Sequence, residues 1–199
     1  MNAFSPDIFL GLAAGLGLSA CCGFRVFTPL LVAAIAGKMG WLPQAANLNW
    51  LSSWPALICF ATASVAEIAA YYIPVVDHFL DLIATPSAVV AGTVVSASTL
   101  VGIDPMWQWI LGLMVGGASA GVIQAGTALL RIGSAKTTAA TANPIVATAE
   151  NVASIGGSLL ALIAPVLMAV IISVLLILII LALNKFFLSK KRKDKPHRA

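Results

Sequence analysis

Apolar residues in this chain do not alternate as in a strand or form the stripe of a surface helix. They fill whole segments of 17 to 30 residues, separated by short polar, Pro- or Gly-containing breaks. The clearest lies between Glu150 and Lys185, 34 residues without a charge, which end on an almost purely aliphatic run from Pro165 to Leu183. About 20 such residues, at about 1.5 Å rise each, cross a hydrocarbon core of about 30 Å. A capping residue followed by proline marks helix starts at Ser5-Pro6, Thr85-Pro86, Asp104-Pro105 and Asn143-Pro144, with Ser53-Trp54-Pro55 a looser case. Proline suits that position because it lacks only an N–H that the first turn leaves unbonded. Read forward, these starts give spans near 7–36, 54–73, 86–102, 106–130, 144–163 and 165–184. The pattern predicts an all-α fold, a polytopic transmembrane helix bundle of about six spans. One transmembrane domain covers 1–184, and a tail covers 185–199.

Two stretches break the regularity. Cys22-Gly23-Phe24-Arg25 followed by Thr28-Pro29 places a glycine, a charge and a proline near the middle of the first span, which predicts a kinked or broken helix. From Arg131 to Pro144 small and hydroxyl residues predominate, which predicts a loop dipping back into the protein. Irregular backbone at membrane depth survives only where protein buries it or water reaches it, so either break points to a site. Gly11-Leu12-x-x-Gly15 matches Gly112-Leu113-x-x-Gly116, and Ala61-Thr62-Ala63 before Glu67 echoes Ala147-Thr148-Ala149 before Glu150, as an internal repeat would.

Composition extends the membrane reading to the whole chain: 60% hydrophobic and 9% charged residues exclude a water-soluble domain. The net charge of +4 is unevenly placed. Residues 185–199 hold seven basic residues and one acidic, and the remainder holds four basic against six acidic. Such a tail is retained in the cytoplasm and meets anionic lipid headgroups rather than nucleic acid. The N-terminus lacks the basic start and cleavage site of a signal peptide, so the first segment is expected to remain. Cys21, Cys22 and Cys59 lie in apolar sequence, without the spacing of a metal site; neither metal, cofactor nor disulfide is expected.

Three charges interrupt the spans. Arg25, Glu67 and Glu150 each cost at least about 2.5 kcal/mol near a bilayer centre, so each is expected to find a partner or a cavity. Arg25 paired with Glu67 or Glu150 is the simplest arrangement, either as a structural lock or as part of a substrate or ion path. Asp77 and Asp81, one helical turn apart, form either a cation or proton site or the wet face of an interfacial helix. Arg131, Lys136, Thr141 and Asn143 gather donors beside the helix that starts at Pro144, where a dipole attracts anions; the two cations also fit an interfacial positive-inside pair. Gly11-x-x-x-Gly15, Gly112-x-x-x-Gly116 and Gly117-x-x-x-Gly121 allow close helix packing and a homodimer. Trp41, Trp50, Trp54, Trp107 and Trp109 fall near span ends, where interfacial aromatics belong.

Gly23-Phe24-Arg25-Val26-Phe27-x-Pro29-Leu30, then Glu67 with Pro74-x-x-Asp77-x-x-x-Asp81, then Asn143-Pro144 ahead of Glu150, together resemble a bacterial inner-membrane family catalogued only as a domain of unknown function. The resemblance covers nearly everything up to about residue 184, and Gly-Phe-Arg is its most specific part. That family places an Asp after the second Glu, whereas this chain has Asn151, which puts a two-carboxylate site there in doubt. The resemblance implies an inner-membrane topology and the same charged residues, and supplies no substrate. The expected function is a small transporter or channel-like protein for an anionic solute or lipid. Its rival is a non-catalytic scaffold or assembly factor whose buried charges only lock helices. No His-Glu-x-x-His, Gly-x-Ser-x-Gly or phosphate-binding glycine loop is present, which argues against an enzyme and leaves only lipid-phosphate chemistry near Arg131–Asn143 open.

Overall fold

The computed structural model describes residues 6–138 and 143–193, except the side chains of 6–8, 74–79, 81–82, 135–138, 143 and 186–193. Every regular element among them is helical. In order they are α1 (Pro6–Cys21), α2 (Phe27–Lys38), a 3-10 helix (Ala46–Ser52), α3 (Trp54–Ala70) and α4 (Pro74–Thr99). Then come α5 (Pro105–Leu111), a π-helical stretch (Gly112–Gly117) leading into α6 (Ala118–Thr138), α7 (Asn143–Ile163) and α8 (Pro165–Lys193). The proline starts hold at Pro105 and Pro144, while the residues before Pro6 lie outside those described, and the Ser53 and Asp104 side chains accept from the N–H groups of Ala56 and Met106 at 3.3 and 2.9 Å. Thr85-Pro86 does not start a helix: Pro86 lies inside α4, which begins at Pro74 after the extended residue Ile73. An internal proline is tolerated in such a bundle, where neighbouring groups re-satisfy the backbone.

Three described helices are long and apolar enough to cross a membrane: Pro105–Ser134, Pro144–Ile163 and Pro165–Lys185. The 3-10 helix and α3 make a fourth, bent by 56°. Helix α4 has the length, at 26 residues, but its apolar part is Ile83–Thr99. Only 11% of the α8 span is buried inside the protein, so most of its Ile, Leu and Val side chains face outward, as on an integral membrane protein.

The first apolar segment breaks at Cys22–Val26 as expected, but the break reverses the chain. Gly11 abuts the Thr99 carbonyl at the end of α4, while Cys21, at the other end of α1, touches Gly157 in α7. Helix α2 begins against Glu67, near the end of α3, and finishes with Lys38 4.4 Å from the ring centre of Trp54, at the start of α3. The Ala45 N–H then donates to the Ser98 carbonyl at 2.8 Å, back at the end of α4. The two helices therefore enter and leave at one end of the bundle. The described part of α1 and the whole of α2, with 16 and 12 residues, are about 24 and 18 Å long, short of a hydrocarbon core of about 30 Å. This is a re-entrant hairpin. Its irregular tip is tolerated because Cys22, Gly23, Arg25 and Val26 are all buried by protein.

The second expected break is corrected. Helix α6 runs on through Thr138, because Ala135 and Lys136 favour helix and the single Gly133 costs too little to stop it. Of the expected irregular stretch, 139–142 lie outside the described residues.

Helix α4 is the hub. A Cβ on Gly92 would stand 2.6 Å from the Gly116 carbonyl, one on Gly112 2.8 Å from the Thr93 carbonyl, and one on Gly11 2.6 Å from the Thr99 carbonyl. Only glycine permits these backbone contacts, so the two Gly-Leu-x-x-Gly elements seat α1 and the π-helical stretch on the same helix. The alternating helix directions place the 71–73 turn and the 138–143 connection at one end of the bundle, to which α8 also runs. All five tryptophans, each exposed, gather at the other.

Candidate functional site

The hairpin tip carries Arg25 into the bundle, where it is 1% exposed. Its Nε donates to Asn151 Oδ1 at 2.6 Å, one terminal nitrogen to Glu150 Oε2 at 2.8 Å and to the Phe24 carbonyl at 3.2 Å, and the other to the Ala147 carbonyl at 3.0 Å. Three of these acceptors come from one face of α7, because Ala147, Glu150 and Asn151 are spaced three and four residues apart.

Glu150 is shared. Arg131, one helix away on α6, donates through Nε to Glu150 Oε1 at 3.1 Å and through a terminal nitrogen to Glu150 Oε2. The bidentate fork suits guanidinium and carboxylate geometry. Arg131 and Glu150 each stand seven residues from the helix end nearest the 138–143 connection, about 10 Å deep at about 1.5 Å per residue. The Tyr71 ring completes the cluster, with its centre 3.9 Å from the Arg25 guanidinium carbon and 4.4 Å from that of Arg131. Cation–π contacts of this kind strengthen when water is excluded.

Glu67 does something else. Its two oxygens accept from the backbone N–H groups of Val26 and Phe27 at 2.8 and 3.0 Å. Those are orphan donors at the start of α2, which no side chain of α2 itself caps. A carboxylate from α3 thus closes the N-terminus of α2 from outside, where the helix dipole favours negative charge. It fixes the end of the tip next to Arg25. The two glutamates matched in the sequence comparison of halves therefore have different partners.

Arg25, Arg131, Glu67 and Glu150, all nearly fully buried, carry charges that cancel. A second polar layer joins α7 to the turn after α3: Tyr72 Oη lies 2.9 Å from Thr148 Oγ1, and Asn151 Nδ2 donates to Tyr72 Oη at 3.4 Å. A cavity of about 290 Å³ reaches Glu67 and Tyr71 between α3 and α4, and adjoins an apolar one of about 380 Å³ through Val26, Phe27 and Ser87.

The structure thus brings Arg25, Glu150 and Arg131 together and sets Glu67 beside them. Arg131 is turned to Glu150 rather than to the start of α7. Asp77 and Asp81 lie in the first turns of α4, and Lys136 and Asn143 lie in α6 and α7; their side chains, and Thr141 entirely, fall outside the described residues. Tyr71 was not singled out from the sequence, although two adjacent tyrosines ending a span just before Ile73-Pro74 are a signal for an interfacial or cation-facing ring. Among the described residues no three His, Cys, Asp or Glu side chains gather as a metal site.

Residues 12–185 match the family described as a domain of unknown function, DUF4126, and the chain belongs to that family. No curated protein and no solved structure matches it.

Proposed function

We propose that this member of the DUF4126 family is a small membrane carrier for an anionic solute or lipid headgroup, with Arg25 and Arg131 as the anion-reading pair. The observation that carries this is two buried guanidinium groups on a single carboxylate at the tip of a re-entrant hairpin. Glu150 stands where a substrate carboxylate or phosphate would bind, and exchange of one anion for the other gives the arginines two alternative partners. Broken helices meeting at a charged site inside the bundle are the usual setting for solute binding in carriers. The cavity between α3 and α4 supplies lateral access to that end. The basic tail supports a cytoplasmic α8 end in a bacterial inner membrane, with anionic headgroups as its partners. The exposed apolar faces leave room for a homodimer.

A second reading has its own support. Arg25 has four acceptors, and both Glu67 oxygens are engaged, as in a structural lock within a scaffold or assembly factor.

Proteoliposome flux of phosphate and of small mono- and dicarboxylates separates the two. The carrier reading expects flux of at least one anion, lost in Arg25→Lys and Arg131→Lys while both proteins stay monodisperse. Absence of flux, with thermal stability lowered in both variants and raised by none of these anions, leaves the lock.

A further inference from the structure

Helices α3 and α4 follow one another in the chain, yet among the described residues they scarcely touch, and both rest on α2. The gap between them holds the two cavities of about 290 and 380 Å³, floored by Val26, Phe27 and Leu30 of α2 and joined beside Ser87. Along α4 the lining runs from Leu80 to Val94, a rise of about 21 Å at about 1.5 Å per residue. Ile83 and Val90 line this cleft and are exposed, and both belong to the apolar part of α4, so its mouth faces hydrocarbon rather than water.

The walls decide what it holds. Of the described side chains around the cleft only Glu67 is charged, and both Glu67 oxygens already accept backbone N–H groups. An apolar space of this kind stays dry, so inside a bilayer it is hydrocarbon that fills it. One leaflet contributes about 15 Å of a hydrocarbon core of about 30 Å, so a cleft longer than that takes a long chain.

A single side chain connects the cleft to the arginines. Tyr71 lines it beside Glu67, and the Tyr71 ring centre stands 3.9 and 4.4 Å from the guanidinium carbons of Arg25 and Arg131. An anionic head on that pair and a chain in the cleft are therefore one ring apart. Guanidinium forks fit phosphate oxygens as they fit a carboxylate. A small soluble anion accounts for the arginines alone, whereas a lipid accounts for both features.

We propose that the ligand of the arginine pair is a phosphate-headed lipid, whose head meets Arg25 and Arg131 past Tyr71 and whose hydrocarbon chain lies in the cleft between α3 and α4. The place of the head rests on the carrier reading, which this narrows from anions in general to lipids.

The test is thermal unfolding of the purified full-length protein in a nonionic detergent with three probes. Oleoyl lysophosphatidate has both chain and phosphate, oleoyl lysophosphatidylcholine has the chain under a head without net charge, and glycerol phosphate has the head alone. A ligand that binds only the folded state raises the midpoint with its concentration. Ser87→Phe and Ala66→Phe each set a ring into the cleft away from the arginines; Ala66 is exposed, so its variant displaces no packed neighbour. The expected result is a saturable rise of several degrees with lysophosphatidate alone, lost in Arg131→Lys and in the cleft variants that keep the wild-type midpoint without lipid. An equal rise with lysophosphatidylcholine overturns the proposal by showing that the chain binds without its head. An equal rise with glycerol phosphate, kept in both cleft variants, also overturns it, and leaves the carrier reading standing for soluble anions. No rise with any probe overturns it as well, and the carrier reading then stands or falls on the flux of phosphate and carboxylates.

Discussion

Replacing Glu150 by Gln keeps the shape of the side chain and removes the charge that two guanidinium groups share. Three hydrogen bonds change character, from the Arg25 terminal nitrogen at 2.8 Å, Arg131 Nε at 3.1 Å and the second Arg131 nitrogen. Removing one partner of a buried ion pair costs about 3–5 kcal/mol, because the other charge stays behind without compensation. Here one substitution takes the shared carboxylate from two cations, while Arg25 keeps its Asn151, Phe24 and Ala147 acceptors, the Gln amide oxygen still accepts one bond and the Tyr71 ring still faces both. A loss of about 4 kcal/mol follows. Arg131→Met alone leaves the Arg25–Glu150 pair intact, and on that basis costs about 1–2 kcal/mol less than Glu150→Gln. In the double variant Arg131→Met/Glu150→Gln only Arg25 loses the carboxylate, so the two effects couple by about 2 kcal/mol. Unfolding of detergent-solubilised protein by titrated dodecyl sulfate measures all four corners of the cycle. A Glu150→Gln cost under about 1 kcal/mol, or additive effects in the cycle, would refute the shared-carboxylate argument.

Glu67→Ala orphans the N–H groups of Val26 and Phe27, each worth about 1–3 kcal/mol when buried; about 2–4 kcal/mol of stability goes, and those two amides exchange faster by mass spectrometry, whereas Glu67→Gln keeps roughly half. Tyr71→Leu removes two cation–π contacts at a cost of about 1–2 kcal/mol, read as a lower chemical unfolding midpoint. Gly116→Val drives a side chain into the Gly92 backbone carbonyl, and about 3 kcal/mol of overpacking shows as loss of the monodisperse peak in size-exclusion chromatography.

How much of this was legible beforehand depended on the kind of interaction. Helix starts at Pro105 and Pro144 could be read from single residues, since a capping side chain and a proline act locally. The need of Arg25 for a carboxylate could be read from its cost in an apolar segment, and Glu150 was one of two candidates. The reversal at Cys22–Val26 could not, because a kink and a turn ask for the same Gly and Pro, and what decides is the docking of α1 and α2 on α4. Arg25 was the candidate partner for Glu67, and its actual partners could not be read because they are backbone N–H groups, which carry no residue signature. Arg131 falls at the start of a stretch whose small and hydroxyl residues suggest a loop, yet helix continuity prevails where flanking residues favour it and Glu150 waits on the next helix. The Tyr71 ring mattered only once two cations had been placed against it.

The hairpin also sets an order of events during synthesis. Arg25 and Glu150 are separated by 125 residues, so the hairpin leaves the ribosome long before its counter-charge exists. At about 5–20 residues per second the interval is roughly 6–25 seconds. Throughout it the tip has neither α6 nor α7 to bury it, and α2, at 12 residues, is too short to rest across the bilayer as a span. The hairpin must therefore wait at the membrane surface or in the care of the insertion machinery, and enter the bundle only when α6 and α7 arrive to receive it.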